Sequence, residues 1–416
     1  MKNRRCRLRF LIAASSLIGP VAIVAATDPA PAIFSWPAQT LAATRARLSA
    51  NPADPQLAPA LATLRSEADA ALATPPASVM DKKLTAASGD KHDYFSFGPY
   101  WWPDPAKPDG LPYIRRDGKT NPASRTGTDQ PAFNRTSANI WTLSLAYYFT
   151  GYEPCAAHAA LLARVWFLDP ATRMNPNLNH AQAIPGHNDG RDVGVIEALV
   201  LINLTDGLAL LESAASPSWT AVDRDAMRAW LSTYLDWLIT SPNGLGARNQ
   251  PNNLGTWYDA QVTQLALVLG RTRLARDTVT TALTSRLARQ AAPDGSQRRE
   301  LNRASPLGYS TMNTRGFLIL ATQAGHVGID WWQHKVSAAD TAPRLRVCLE
   351  RLAPYANPDV RWSPPGWKGD NQTGARAPLR ELLALASLHY TDDAFRALFP
   401  SRLDSRYATE RWNFFS

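Results

Sequence analysis

The residue types able to do chemistry are concentrated in four short motifs, and the first is a pair of amides. Asn252 and Asn253 stand just before a segment whose apolar residues recur with helical spacing from Trp257 to Leu269. Thr256 is predicted to cap that helix, because its side-chain oxygen can accept from a free backbone N–H. Amides held at such a boundary can donate neutral hydrogen bonds to a ligand. The alternative is that both residues only form a turn.

The second motif places Arg303 and Tyr309 six residues apart, across a turn that contains Pro306 and Gly308. A guanidinium near a phenol favours the phenolate, which lowers the phenol pKa and makes tyrosine a usable base. Glu300 precedes Arg303 by one helical turn and is predicted to hold its guanidinium in place. An ordinary surface arginine beside a buried tyrosine is the alternative.

The third motif lies between Ser88 and Pro131, a stretch without helical periodicity. A loop of this length is functional or disordered, and its many Tyr and Trp residues argue against disorder. Aromatic faces can stack on sugar rings while neighbouring cations meet carboxylates, which suits a polysaccharide groove. The alternative is that the aromatic residues plug the loop onto the helices. The residues predicted to bind substrate here are Tyr94, Trp101, Trp102 and Tyr113.

The fourth motif runs from Asn175 to Arg191 and is dense in amides and imidazoles. Because it directly precedes a long helix, we expect it to form a polar wall of the site. His187 lies in a Pro-Gly and Asn-Asp-Gly loop and is a better candidate base than His158 or His389, which lie in helical patterns. The residues predicted to form this wall are Asn179, His180, Gln182, His187 and Arg191; Asn252 and Tyr258 from the first motif are predicted to contact the same ligand.

The N-terminal 26 residues have the pattern of a signal peptide. A basic start is followed by an apolar run from Phe10 that ends in Val24-Ala25-Ala26, a small-residue cleavage pattern. An uncleaved anchor is the alternative, but the run is near the lower length limit for a membrane span. We therefore expect a periplasmic or secreted protein with no stable membrane insertion after cleavage. Residues 27–416 show no linker or composition break, which predicts a single domain.

Export changes how charge and cysteine content are interpreted. The net charge is +9, and five positive charges lie in the signal segment, so the mature chain carries +4. This surplus suits an anionic substrate, and without a Lys/Arg block it excludes a nucleic-acid footprint. Cys155 and Cys348 could pair in an oxidising compartment, although no spacing motif supports it. No cluster has metal-ligand spacing, so we expect neither metal nor cofactor.

Helical periodicity dominates the rest of the chain and predicts an all-α fold. Consecutive helix pairs with apolar stripes favour antiparallel hairpins in a ring, an (α/α) toroid or incomplete helical barrel with long aromatic loops over a central groove. An open solenoid is the alternative, and no repeat of fixed length is visible. Predicted helices are a segment capped by Ser137 and ended by Gly151, one opened by Pro154, Val193–Glu212, Thr220–Ile239, Trp257–Leu269, Leu274–Gln290, Tyr309–Ala324, Arg344–Leu352 and Pro378–His389.

Together the four motifs resemble the alginate lyase superfamily of bacterial polysaccharide lyases, from about Ser78 to Ser310. The Asp-Tyr…Tyr-Trp-Trp-Pro-Asp pattern is similar to the uronan-lyase branch, which includes alginate and glucuronan lyases. The resemblance implies an (α/α) toroid and metal-independent β-elimination on a 1,4-linked polyuronate. It also implies that Asn253 binds the substrate carboxylate, with Arg303 as the active-site arginine and Tyr309 as the catalytic tyrosine.

One position departs from the family pattern. The family usually reads Asn-Asn-His-Gly with a catalytic histidine, whereas this chain has Leu254. In β-elimination the H5 proton of a uronate unit becomes removable when the charge of its C6 carboxylate is neutralised. A base then takes H5, and an acid protonates the O4 leaving group. In mannuronate and glucuronate H5 and O4 lie on one side, so Tyr309 can do both jobs. Guluronate needs a second group, and His187 or His180 is a candidate.

Three functions follow as hypotheses. The first is a secreted lyase that cleaves polymannuronate, alginate or β-1,4-glucuronan and acts as a monomer. The second is a polyuronate-binding or export-assisting protein that lost catalysis at Leu254. The third is an inverting (α/α) glycoside hydrolase, which needs two opposed carboxylates. Asp189, Asp192 and Asp259 are available for that role, but no spacing sets them as a pair.

Overall fold

The computed structural model describes residues 30–363, 369, 372–398 and 407–415. The predicted signal peptide, residues 1–26, lies outside the described residues. The chain is 58% helix and 4% strand, which confirms the all-α prediction. The helices are α1 (Ala38–Ala50), α2 (Ala58–Leu72), α3 (Gln130–Thr150), α4 (Glu153–Ala163), α5 (Val200–Ser213), α6 (Ala221–Thr240), α7 (Pro242–Arg248), α8 (Asn253–Val268), α9 (Thr272–Ala282), α10 (Ala288–Gln290), α11 (Arg298–Leu301), α12 (Pro306–Gly325), α13 (Arg344–Leu352), α14 (Arg376–Ala386) and α15 (Asp393–Arg396).

The helices form a ring of two layers. Helices α3, α5, α8 and α12 are buried along most of their length and contact one another in succession, while α4, α6, α9 and α13 pack outside them. Loops as short as Gly151–Tyr152 join inner and outer helices, which is the geometry of antiparallel hairpins. Beyond α12 the succession continues through α14 and the turn Arg411–Phe414 to α1 and α2, which return to α3. This toroid confirms the predicted architecture.

Most predicted helix boundaries agree with the structure within a few residues, and local chemistry explains them. Thr220 caps α6 in a reciprocal capping box with Asp223, and Gly151 ends α3 in the left-handed conformation. Two predicted caps are wrong. Ser137 lies inside α3, and α8 begins one turn before Thr256, because the side chain of Asn252 accepts from Leu254 N–H and serves as the cap.

One apolar segment, Asp192–Ser213, begins as a 3-10 helix through Leu199 and continues as α5. Its 22 residues are long and apolar enough to cross a membrane by length and composition. However, 67% of its most apolar window is buried inside the protein. Asp206 of α5 accepts hydrogen bonds from the backbone of Phe34 and Ser35, which fastens the N-terminal described segment to the ring.

Four short strands shape the loops above the ring. β1 (Phe95–Phe97) pairs in parallel with β4 (His180–Ala183), and β2 (Trp101–Trp102) pairs antiparallel with β3 (Ile114–Arg115). These pairs connect the third and fourth motifs to short strands of defined register.

The two cysteines of the ring are not paired. Cys155 and Cys348 are both buried free thiols, so the pairing that the sequence left open is not formed. Burial raises the pKa of Cys155 to about 11 and that of Cys348 to about 12. Both thiols therefore behave as small apolar core groups.

Candidate active site

A groove of about 660 Å³ opens between the ring and the loops above it. All four motifs contribute to its lining, although not with every predicted residue. Among the described residues that line this groove, four are arginines and one, Glu197, carries a carboxylate. The residues that line it include Phe97, Pro99, Tyr100, Trp101, Arg115, Arg125, Asn134, Gln182, Arg191, Glu197, Leu199, Val200, Gln250, Asn252, Asn253, Leu254, Arg303, Tyr309 and Met312.

Tyr309 and Arg303 meet at one end of this groove, as their spacing predicted. Helix α12 begins at Pro306, so Tyr309 stands in its first turn, while Arg303 belongs to the preceding loop. Arg303 Nη2 donates to the Tyr309 hydroxyl at 2.9 Å, and its guanidinium carbon lies 3.9 Å from the ring centroid. The Tyr309 hydroxyl also shares a hydrogen bond of 2.7 Å with the Tyr100 hydroxyl.

The expected effect of Arg303 on the Tyr309 pKa is outweighed. Burial raises the pKa of Tyr309 above its ordinary value, the hydrogen bond with Tyr100 adds to the rise, and Arg303 lowers it only in part. The resting side chain is therefore a neutral phenol. The prediction that the arginine alone would depress this pKa is wrong, because it left out the cost of burying the phenolate.

Asp117 holds the Arg303 guanidinium, in place of the predicted Glu300. Its carboxylate accepts from Arg303 Nε at 3.1 Å and from Nη2 at 3.0 Å. Although burial disfavours its charge, the guanidinium keeps the pKa of Asp117 below its usual value. Within the described part of the chain, Nη1 of Arg303 has no protein acceptor, which leaves that amino group for a ligand.

Glu300 instead positions Asn253. It accepts from the Asn253 backbone N–H and from its Nδ2, both at 2.8 Å. The Asn253 residue is 2% exposed yet lines the groove. Since an amide nitrogen carries two hydrogens, one remains for a ligand after the bond to Glu300. Burial raises the pKa of Glu300 above its usual value, against the two bonds from Asn253.

The opposite wall is built around Glu197, a residue that the sequence motifs did not single out. Its Oε2 accepts from the hydroxyls of Tyr94 at 2.8 Å and Ser96 at 2.6 Å. Burial raises its pKa to about 7. The sequence signal that could have identified Glu197 is its place within an apolar stretch. Burying a carboxylate there costs free energy unless polar partners surround it.

Gln182 and Arg191 line the groove beside Glu197. Gln182 has a left-handed backbone with φ of 51°, a conformation that is uncommon for residues other than glycine. Its side-chain and backbone oxygens accept from Arg191, whose guanidinium carbon lies 5.9 Å from the Trp101 ring centroid. Gly98 leaves room for this contact, because a Cβ there would lie 2.8 Å from the Trp101 ring.

Several predicted substrate contacts lie elsewhere. Tyr94 and Tyr258 are buried, and their hydroxyls bind Glu197 and the Leu238 carbonyl, so neither side chain lines the groove. Asn179 accepts from Trp237 Nε1, and the His180 imidazole lies 3.7 Å from an Asp93 oxygen. Both are outside the groove lining.

The aromatic loop contributes less to the lining than predicted. Trp102 Nε1 donates to the Lys119 carbonyl, which favours the plug interpretation for this residue. His187 contacts the Tyr113 carbonyl through Nε2 at 2.9 Å and stands edge-on to Trp101. Trp102, Tyr113 and His187 are therefore outside the lining, whereas Trp101 and the unpredicted Tyr100 belong to it.

The carboxylates suggested for a hydrolase do not form an opposed pair in the groove. Asp259 is held by Arg286 Nε at 2.7 Å, and Asp192 accepts from Gln250 Nε2 at 2.7 Å. Neither belongs to the described groove lining, and neither does Asp189.

Comparison with known proteins gives a consistent result. The family model named alginate lyase matches residues 78–362. A solved structure of an alginate lyase from Bacteroides ovatus has a TM-score of 0.83 and 34% identity, covering 92% of this chain and 99% of its own. An apo variant of alginate lyase A1-III, a Sphingomonas protein, has a TM-score of 0.51 and 15% identity, covering 90% and 92%, and shares the fold. Curated protein sequences give no match.

Proposed function

The chain belongs to the alginate lyase family and is a polysaccharide lyase, and from this premise we propose that it cleaves a 1,4-linked polyuronate by metal-independent β-elimination. The observation that carries the proposal is the meeting of Arg303, Tyr309 and Asn253 in one groove. Four arginines line that groove and favour a polyanionic substrate. A cleft lined by charges of one sign raises the local concentration of oppositely charged ligands.

Neutralisation of the substrate carboxylate is the first task. H5 becomes removable when the charge that develops on the C6 carboxylate is stabilised by fixed donors. We assign this role to the free Nδ2 hydrogen of Asn253 and to Nη1 of Arg303. Glu300 and Asp117 fix these two donors in place before substrate binds, so little reorganisation is needed during the reaction.

Proton transfer is the second task, and we assign it to Tyr309. As phenolate it takes H5, the C4–O4 bond breaks as the C4=C5 double bond forms, and the same hydroxyl then protonates O4. Arg303 Nη2 and the Tyr100 hydroxyl lie at 2.9 and 2.7 Å, where both can donate to the phenolate. The raised pKa makes the phenolate scarce at neutral pH but strongly basic, which a weak carbon acid requires.

One tyrosine serves substrates whose H5 and O4 share a side of the ring. We therefore propose a manno- or gluco-configured substrate, polymannuronate or β-1,4-glucuronan, and little activity on polyguluronate. Leu254 lines the groove where the family carries histidine, and it cannot transfer a proton. His187 and His180 are outside the groove lining, so neither supports the proposed rescue of an anti elimination.

The matched test removes one hydroxyl at a time. Tyr309→Phe should lower kcat on the preferred polyuronate by about 10²–10⁴-fold, because that is the usual contribution of a general acid–base group. Tyr100→Phe, the control, should cost less, since Tyr100 shares a hydrogen bond with the Tyr309 hydroxyl but is not assigned the proton transfer itself. The readout is absorbance of the unsaturated product on polymannuronate, polyguluronate and glucuronan. Retention of more than about a tenth of the activity in Tyr309→Phe would contradict the assignment.

The last part of the proposal concerns location: the protein is exported from the cytoplasm. The basic start and apolar run of residues 1–26 support cleavage of a signal peptide and a periplasmic or extracellular enzyme. Such a location would place the groove where polyuronates are found. The mass of the mature N-terminus from whole cells, together with activity in periplasmic and cytoplasmic fractions, tests this location.

A further inference from the structure

A second cavity lies behind the loop that carries Asn252 and Asn253. Its volume is about 350 Å³, and four arginines line it together with one carboxylate: Arg248, Arg286, Arg289 and Arg299 with Asp259. Asn249 and Pro251 line it as well, whereas the neighbouring Gln250 and Asn252 line the catalytic groove. One loop therefore separates the two cavities.

Arg286 and Asp259 neutralise each other. Arg286 Nε donates to Asp259 at 2.7 Å, and both side chains are less than a tenth exposed. Nη2 also donates to Asp259 at 3.4 Å. Two further bonds go to the loop, from Nη1 to the Gln250 carbonyl at 3.1 Å and from Nη2 to the Arg248 carbonyl at 2.7 Å. This pair fixes the floor of the cavity and the loop above it.

The other three arginines have no such partner. Arg248, Arg289 and Arg299 are exposed residues, and no ion pair found among the described residues includes them. The described residues that line the cavity thus carry four guanidinium groups against the single carboxylate of Asp259, around a space large enough for a small ligand. Like charges held this close repel one another, and an anion bound between them removes that repulsion.

The local backbone is built for this arrangement. Helix α9 continues directly into a π-helical turn at Leu283–Leu287. Such turns occur frequently at functional sites. The turn buries Arg286 while the neighbouring Ser285 stays at the cavity. Gly255 permits close packing of the loop, because a Cβ there would lie 2.2 Å from the Gln250 carbonyl oxygen.

We propose that this cavity is a binding site for a small oxyanion, held by Arg248, Arg289 and Arg299. Guanidinium groups present planar pairs of donors that match carboxylate and phosphate oxygens. A uronate carboxylate and inorganic phosphate share this chemistry. Since Arg286 ties the cavity floor to the carbonyls of Arg248 and Gln250, the bound anion stabilises the loop on the side opposite the catalytic groove.

Calorimetric titration with inorganic phosphate and with monomeric glucuronate tests the site without any cleavage assay. The double variant Arg289→Gln/Arg299→Gln should bind at least tenfold more weakly than the wild type. Arg273→Gln is the matched control, because its side chain is 96% exposed on α9 and its ion-pair partner is Asp277 at 3.7 Å. The control should bind like the wild type. Circular dichroism verifies that each variant folds.

The two titrations separate the sources of the anion. Arginine-dependent binding of glucuronate identifies a sugar carboxylate as a ligand, and arginine-dependent binding of phosphate alone identifies an inorganic ion; either supports the site. If the double variant binds both ligands with the same affinity and stoichiometry as the wild type, the binding lies outside this cavity, and the proposal is overturned. Absence of saturable binding of both ligands to the wild type overturns it as well.

Discussion

At the residue scale, the site depends on a tyrosine whose environment resists ionisation. Burial and the neighbouring Tyr100 raise the pKa of Tyr309, and Arg303 offsets only part of the rise. The reactive phenolate is therefore a minor species at neutral pH. Substrate has to be held by other groups, Asn253 and Arg303, while the phenolate forms.

This raised pKa gives a pH dependence with a definite sign. The base acts deprotonated, and below its pKa the phenolate fraction grows about tenfold per pH unit. We expect kcat/KM to rise between about pH 7.5 and 9 with a slope near one on a logarithmic plot. Initial rates at constant ionic strength measure it. A plateau that begins below pH 8 would show that the pKa of the base lies well under that of an ordinary tyrosine, about 10, and would contradict a raised pKa for Tyr309.

Leu254 allows a second residue-scale prediction. Position 254 lies in the first turn of α8 and in the groove, where the positive end of the helix disfavours a charged imidazole. Leu254→His should therefore supply a neutral base and raise the rate on polyguluronate at least tenfold. Leu254→Asn, polar but unable to act as a base, is the control. An equal gain in both variants would indicate that polarity, not proton transfer, limits this substrate.

The sequence predicted short-range parts of the site and missed the long-range ones. Arg303 and Tyr309 are close because a turn joins them, and the spacing was enough. Glu300 was assigned to Arg303 as if one helix held both, yet α11 ends at Leu301 and the two side chains diverge. Asp117, 186 residues from Arg303, gives no local signal.

At the element scale, a buried amide network connects the two helices that carry the chemistry. Gln290 Nε2 donates to the Asn252 carbonyl, and its Oε1 accepts from Thr256 of α8 and Asn313 of α12. Asn313 also donates to Gln297. Both α8 and α12 bury polar side chains as well as apolar ones. Their relative position is therefore set by these directional hydrogen bonds as well as by packing.

Removing the centre of this network should affect both stability and activity. Gln290→Leu removes a hydrogen-bond acceptor of both Thr256 and Asn313 inside the ring. A buried polar group left without a partner costs about 1–3 kcal/mol. We expect a loss of about 2–4 kcal/mol in the free energy of unfolding, measured in urea, and a lower kcat/KM. Gln333→Leu, at an exposed residue, should change stability by less than about 0.5 kcal/mol. Similar losses in both variants would contradict the role of the network.

At the scale of the whole molecule, the ring and its charge work together. Sequence periodicity was sufficient to predict the helices, because core-facing stripes are local patterns, but it left an open solenoid as the alternative to a ring. It could not predict which loop residues turn toward the groove, since that depends on strand pairs such as β2 with β3 and β1 with β4. The modest net charge of residues 27–416 likewise conceals a groove lined by four arginines.

The span of the catalytic contacts also determines when activity emerges during folding. Asp117 contacts Arg303 across 186 residues, and Tyr100 contacts Tyr309 across 209. Closing such long chain loops is entropically costly, so contacts of this kind form late. After dilution from denaturant, helical circular dichroism should recover first and lyase activity only with the slowest phase. Simultaneous recovery of both signals would show that the distant segments meet at the start of folding.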